Sequence, residues 1–181
     1  MPRKNHKDRN FSFLLADAFL LLFLSVPLLA LGQSSSSSAD SKFAAEAAQG
    51  GMAEVKMGQL AQQNGSSDAV RSFGRRMEQD HTKAGEELKR AAQAAGITLP
   101  ADLSTKDQAM YDELAKLKGT QFDRAYARAM VRDHEGDVKD FEKESQQGQN
   151  DSIRSFATQT LPTLRDHLNQ ARRMQQTVSA T

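Results

Sequence analysis

An all-α fold, a four-helix bundle whose two hairpins are joined by one long crossover carrying a short extra helix, is what this sequence predicts. Three observations carry the expectation. Four long segments repeat apolar residues at steps of three and four, the spacing that makes one face of a helix apolar. No segment alternates apolar and polar residues as a half-buried strand does. Two turn regions also resemble each other: Asp68-Ala-Val-Arg-Ser-Phe73 matches Asp151-Ser-Ile-Arg-Ser-Phe156, with one gap in the preceding polar stretch.

The first long helix is expected over 41–63, with a kink or a close backbone approach at Gly50-Gly51. Asn64-Gly65 closes it, and Ser66 is the expected N-cap of the second helix. That helix carries Val70, Phe73, Met77, His81, Ala84, Leu88, Ala91 and Ala95 on one stripe and ends at Gly96. The segment 97–103 cannot be regular helix through Pro100. Ser104 then caps a short helix ending at Lys118, with Asp107 at the third helical position, and Gly119 stops it. The third long helix, 120–147, places Phe122, Tyr126, Met130, His134, Val138 and Phe141 on its stripe. Gly148-Gln-Asn-Asp151 turns into the fourth, which carries Ile153, Phe156, Leu164, Leu168, Ala171 and Met174. Pro162 should kink that helix or restart it with Thr160 as cap. Two similar hairpins and one crossover make the ferritin-like topology, here over 41–177.

The N-terminus reads as a targeting segment. Basic residues precede an apolar run from Phe11 to Leu31, broken by Asp17. Ala18 to Leu31 has the length of a signal-peptide core, and Ala30-Leu31-Gly32 offers small residues at −3 and −1. Cleavage would leave 33–40 as a serine-rich linker and the domain in the periplasm or otherwise exported. The alternative is an inner-membrane anchor with the domain in the periplasm, in which Asp17 would cost up to about 3 kcal/mol. Contact with a membrane is expected only through this segment.

The chain has no cysteine, which excludes disulfides, thiolate metal sites and cysteine nucleophiles. Residues 1–32 contain four basic residues and two acidic ones, so removing them takes the net charge from +1 to −1. A near-neutral domain offers no electrostatic case for nucleic acid. No phosphate loop or serine nucleophile context occurs, and no catalytic residue is assigned. Arg71, Arg75, Arg76, Arg172 and Arg173 read as solvated helix faces, and the methionines as core.

Three Asp-His dipeptides carry the chemistry: Asp80-His81, Asp133-His134 and Asp166-His167. In the expected topology the three histidines stand at one height to within about one helical turn. Helix one adds Glu54 near that level, although Ala53, Met57 and Leu60 form a competing stripe. Imidazole and carboxylate together suit iron, zinc, copper or manganese. Neighbouring residues point about 100° apart, so each pair sends one side chain inward and one to the rim. A ferritin-like di-iron site needs a Glu on each of two helices and Glu-x-x-His on each of the others. Glu78-x-x-His81 supplies one such motif, whereas Val131 and Leu164 precede the other two histidines. The candidate ligand set is therefore Glu54, Glu78, Asp80, His81, Asp133, His134, Asp166 and His167, without a standard di-iron oxidase centre. The competing expectation is a metal-free polar layer that sets helix register, in a structural or stress-related module of the envelope.

Met77-Glu-Gln-Asp-His-Thr82, Gly96-Ile-Thr-Leu-Pro100, Phe122-Asp-Arg-Ala-Tyr-Ala-Arg-Ala-Met-Val-Arg-Asp-His134 and Leu161-Pro-Thr-Leu-Arg-Asp-His-Leu168, in that order, resemble the bacterial domain of unknown function 4142 family. The resemblance spans Phe43 to Met174. It implies an exported, ferritin-like protein, in a family whose members are often labelled outer-membrane proteins. It also implies that Glu54, Asp80-His81, Asp133-His134 and His167 occupy the family's typical positions. It implies no activity, and it leaves homo-oligomerisation and the physiological partner open.

Overall fold

The computed structural model describes residues 38–180. The targeting segment and residues 33–37 of the linker lie outside them. Five helices follow one another: α1 (Ser38–Asn64), α2 (Asp68–Ala95), α3 (Thr105–Ala115), α4 (Gly119–Gln147) and α5 (Asp151–Ser179). Among the described residues there is no strand, and no helix is long and apolar enough to cross a membrane.

Helices α1–α2 and α4–α5 form two antiparallel hairpins, and the segment with α3 returns the chain along the bundle between them. The start of α4 therefore lies beside the α1–α2 turn. There Asp123, almost fully buried, accepts hydrogen bonds from the backbone N–H groups of Ser66 (3.0 Å) and Ser67 (2.9 Å) and from Ser66 Oγ (2.6 Å). At the opposite end Asp40 of α1 accepts from the N–H groups of Gln149 and Asn150, both at 3.0 Å. Each hairpin turn is thus held by an aspartate from the first helix of the other hairpin. Asp40 and Asp123 are 83 residues apart, the same offset as Asp68 and Asp151 in the repeated turn sequence. The repeat also explains its arginines. Arg71 Nη1 donates to the carbonyls of Gly65 and Ser66 (2.8 Å each), and Arg154 Nη1 to that of Gly148 (2.8 Å). Arg71 is therefore a turn clamp, not merely a solvated residue.

Several local expectations change. The cap of α2 is Ser67, whose side chain accepts from the Ala69 N–H, because Ser66 is occupied by Asp123. Helix α1 starts three residues before 41, where Asp40 ties its first turn to the α4–α5 turn. Helix α3 ends at Ala115, not Lys118, and Gly119 opens α4 with φ +61°. Helix α5 runs through Pro162 with no restart at Thr160, and Asn150 caps it instead. Ser104 and Gly96 act as expected, the latter at φ +68°.

Gly50-Gly51 does not interrupt α1. The close approach is about two turns further on. A Cβ on Gly58 would sit 2.5 Å from the Gly74 carbonyl oxygen, and one on Gly74 would sit 2.6 Å from that of Gly58. These two glycines let the α1 and α2 backbones touch. Around that crossing Met57, Phe73, Met77, Phe122, Tyr126 and Met130 pack into one apolar cluster. A second cluster, including Phe43, Leu88, Phe141, Ile153, Phe156 and Leu164, fills the other end. Glu54, His81, His134 and His167 lie along the helices between the two.

Candidate metal centre

Each layer residue follows a core residue of the first cluster by one helical turn or precedes it by one. Met77 leads to His81, Met130 to His134, and His167 to Ala171. The helical period that makes the core therefore brings the imidazoles inward. His134 and His167 are fully buried and His81 is 7% exposed. Their ring centroids lie 5.3–5.9 Å apart, with the Phe73 ring 6.2–6.4 Å from His134 and His167.

The hydrogen bonds define where the protons sit. His134 Nδ1 lies 3.0 Å from the Met130 carbonyl, which can only accept, so this nitrogen carries the hydrogen. His167 Nε2 lies 2.7 Å from Asp80 Oδ2 and donates to it. His81 Nδ1 lies 2.9 Å from Glu54 Oε2. Each ring thus spends one nitrogen on an acceptor and keeps a lone pair on the other. His134 Nε2 and His167 Nδ1 then face each other at 3.3 Å with no proton between them, and His81 Nε2 is buried without a partner. One nitrogen from each ring lies within 4.8 Å of the other two. Tying one imidazole nitrogen to a carboxylate or carbonyl and leaving the other free is how proteins preset metal ligands.

Burial pulls all three histidines below their ordinary pKa, His81 and His167 to about 4, against the opposing pull of nearby carboxylates. The rings are neutral at pH 7, the form that ligates. Burial raises the Glu54 carboxyl, with His134 opposing. Glu54 Oε1 stands 3.3 Å from His134 Nε2, off the line of a hydrogen bond.

The expected ligand residues separate into groups. Glu54, His81, His134 and His167 come together. Asp80 stands behind His167, bridged by Arg76 (Nε to Asp80 Oδ2, 3.1 Å; Nη1 to Asp166 Oδ2, 2.8 Å). Burial opposes ionisation of Asp80, but His167 and Arg76 outweigh it and lower its pKa. Asp166 is exposed on the rim, and Arg76 is a positioning group, not a free surface charge. Asp133 is half-buried, and burial with the neighbouring Glu54 raises it to about 7. The structure does not bring Glu78 to the layer: it accepts from Gln59 (2.9 Å) and Gln62 (2.7 Å).

Asp137 is the residue that sequence reasoning missed. Glu54, His134 and Asp137 offer ligand atoms within 4.8 Å of one another. Burial, then Glu54 and Asp133, push its carboxyl well above the ordinary range. Two signals pointed to it: it follows His134 by three residues on the same face, and it stands 83 residues after Glu54, the offset of the repeat. A di-iron centre does not fit these residues. Leu164 belongs to the apolar cluster, Val131 packs against the other, and Glu78 is turned to the α1–α2 surface.

A family described as "Domain of unknown function (DUF4142)" matches residues 27–174. No curated protein matches the sequence. Among solved structures, a crystal structure of a DUF305 fragment from Deinococcus radiodurans is similar at a TM-score of 0.67 and 15% identity. The match covers 81% of this chain and 99% of that one. At that identity the likeness concerns the helical fold alone.

Proposed function

The chain belongs to the DUF4142 family, and from that premise we propose that it is an exported cell-envelope bundle that holds one divalent transition-metal ion on His81, His134 and His167. The observation that carries the reading is the 3.3 Å approach of two ring nitrogens, His134 Nε2 and His167 Nδ1, each left as an acceptor by the hydrogen bond that its ring's other nitrogen donates. Two acceptors in contact inside a core repel each other unless a cation lies between or beside them. The third free nitrogen, on His81, is buried and otherwise unsatisfied, a state that costs about 1–3 kcal/mol. One ion would satisfy all three. Glu54 or Asp137 would add a carboxylate, and Asp80, Glu54 and the Met130 carbonyl would hold the rings in place. Three nitrogens with an oxygen suit zinc, copper, iron or manganese, with copper favoured on affinity alone. Export is supported by the basic, apolar and small-residue pattern of residues 1–32.

One observation favours a second, metal-free reading. Because burial raises the Glu54 carboxyl, a proton held there would stand beside His134 Nε2, 3.3 Å from Oε1, and lessen the repulsion in the layer without an ion. Metal analysis of protein purified from the periplasm separates the two. The metal reading expects about one equivalent per chain, retained on gel filtration and lost in a His81→Ala/His134→Ala double variant. Substoichiometric metal after reconstitution with iron, zinc, copper and manganese would overturn it.

A further inference from the structure

A cavity of about 910 Å³ opens between α1, α2 and the crossover and runs into the core as far as the polar layer. Its size lies within the range of small-molecule pockets, about 300–1,000 Å³. The sequence makes the space locally. On the layer's far side from the Gly58–Gly74 crossing, α1 presents Ala47, Ala48, Gly50 and Gly51, and α2 presents Ala84 and Gly85. A Cβ on Gly50 or Gly85 would meet nothing within 4 Å. Small residues thus close the helices at one level and part them at the next. Leu88, Phe141, Phe156 and Leu164 form apolar walls, with Leu99 and Leu103 of the crossover at the side.

The inner end is polar, and three residues that line the cavity carry a buried polar atom without a hydrogen bond: Glu54 (Oε1) and His81 (Nε2) at the layer, and Thr160 (Oγ1) on α5. His81 donates through Nδ1 to Glu54, so its Nε2 accepts. Thr160 Oγ1 can donate. We propose that this cavity binds a small apolar molecule bearing a neutral hydroxyl head, an alkylphenol or long-chain alcohol in chemical class, with its head on Thr160, about two helical turns along α5 from the histidine layer, and its tail between α1 and α2. A hydroxyl head accepts from Thr160 Oγ1 and satisfies it. A carboxylate or an ammonium head would lose its hydration in a largely apolar space.

The inference does not require the ion, since Thr160 and the apolar walls stand outside the histidine layer. Isothermal titration of chelator-treated protein therefore tests it apart from the metal reading. The probe is 4-hexylphenol, with hexylbenzene and 4-hexylbenzylamine as matched controls. Saturable 1:1 binding of the phenol is expected, about tenfold tighter than hexylbenzene, the value of one net hydrogen bond. Thr160→Val should bring the phenol down toward the hydrocarbon and leave hexylbenzene unchanged. Gly50→Phe should abolish binding of both, and Ala84→Phe serves if that variant does not fold. Absence of saturable binding to the phenol, tighter binding of the amine, or full affinity in a folded Gly50→Phe or Ala84→Phe protein would overturn the proposal.

Discussion

Replacing Glu54 by Gln separates a ligand-holding layer from a merely structural one, because the two readings give opposite signs. The carboxyl is 1% exposed, with Oε2 2.9 Å from His81 Nδ1 and Oε1 3.3 Å from His134 Nε2. A glutamine amide has the same shape. Its oxygen can accept from His81, and its NH2 would face His134 Nε2 where the wild type sets an unpaired oxygen against it. What disappears is a buried charge, and replacing buried ions by neutral groups of equal volume is neutral or stabilising by about 1–4 kcal/mol. The pH dependence follows from the raised carboxyl. Below the ordinary carboxylate pKa, folded and unfolded forms are both protonated and Glu54 costs nothing. As pH rises above it, the unfolded state ionises first and the wild type loses stability. Metal-free Glu54→Gln should therefore match the wild type near pH 4.5 and exceed it at pH 8 by about 1–3 kcal/mol. For a domain of this size that is a melting-temperature gain of very roughly 3–10 °C. Metal affinity should move the other way, falling about 10–100-fold with the loss of the carboxylate behind His81. Thermal melts by circular dichroism, run with chelator and with metal at both pH values, read both effects. A lower melting temperature for the metal-free variant at pH 8 would refute the reasoning and make Glu54 a structural group.

Three further outcomes follow from the same contacts. Gly58→Ala should destabilise by about 1–3 kcal/mol through overpacking against the Gly74 carbonyl, whereas Gly85→Ala, in open space, should stabilise by about 0.5–1 kcal/mol. Equal effects in urea melts would remove the argument from helix approach. Asp123→Ala strips the partners from the N–H groups of Ser66 and Ser67 and should cost about 2–4 kcal/mol. Hydrogen exchange at the α1–α2 turn should accelerate in that variant, and unchanged exchange would count against the clamp. Glu144 is raised to about 7 by burial, then by its hydrogen bond and charge contact with Asp40. Wild-type stability should therefore fall as pH rises from about 4.5 to about 7. Glu144→Gln should flatten that limb by about 1–2 kcal/mol after solvent screening, and an unaltered pH profile would exclude Glu144 as its source.

Much of the site was legible because helical period and chain level are both sequence quantities. Counting residues from the turns places His81, His134 and His167 at one height, and their position on the apolar stripes sends them inward. Glu54 was ambiguous beside Ala53 and Met57 because α1 has neighbours on two sides and buries all three. Glu78 looked like a ligand through its spacing from His81, but two glutamines of α1 hold it at the surface. Arg76 looked like a surface charge until its partners on α2 and α5 were in place. Pro162 changed nothing in helix continuity, since packing of α5 on both sides overrides one missing N–H.

By itself the sequence determined the helices, their order, the crossover and the level of the histidines, because each depends on local spacing, capping and chain length. Tertiary structure alone decided which nitrogen of each ring is tied and which is free, that Gly58 and Gly74 join the helices, and that Gly50 and Gly85 face a cavity. Those facts depend on distances of a few ångströms between residues on different helices, and no periodicity along one chain segment encodes them.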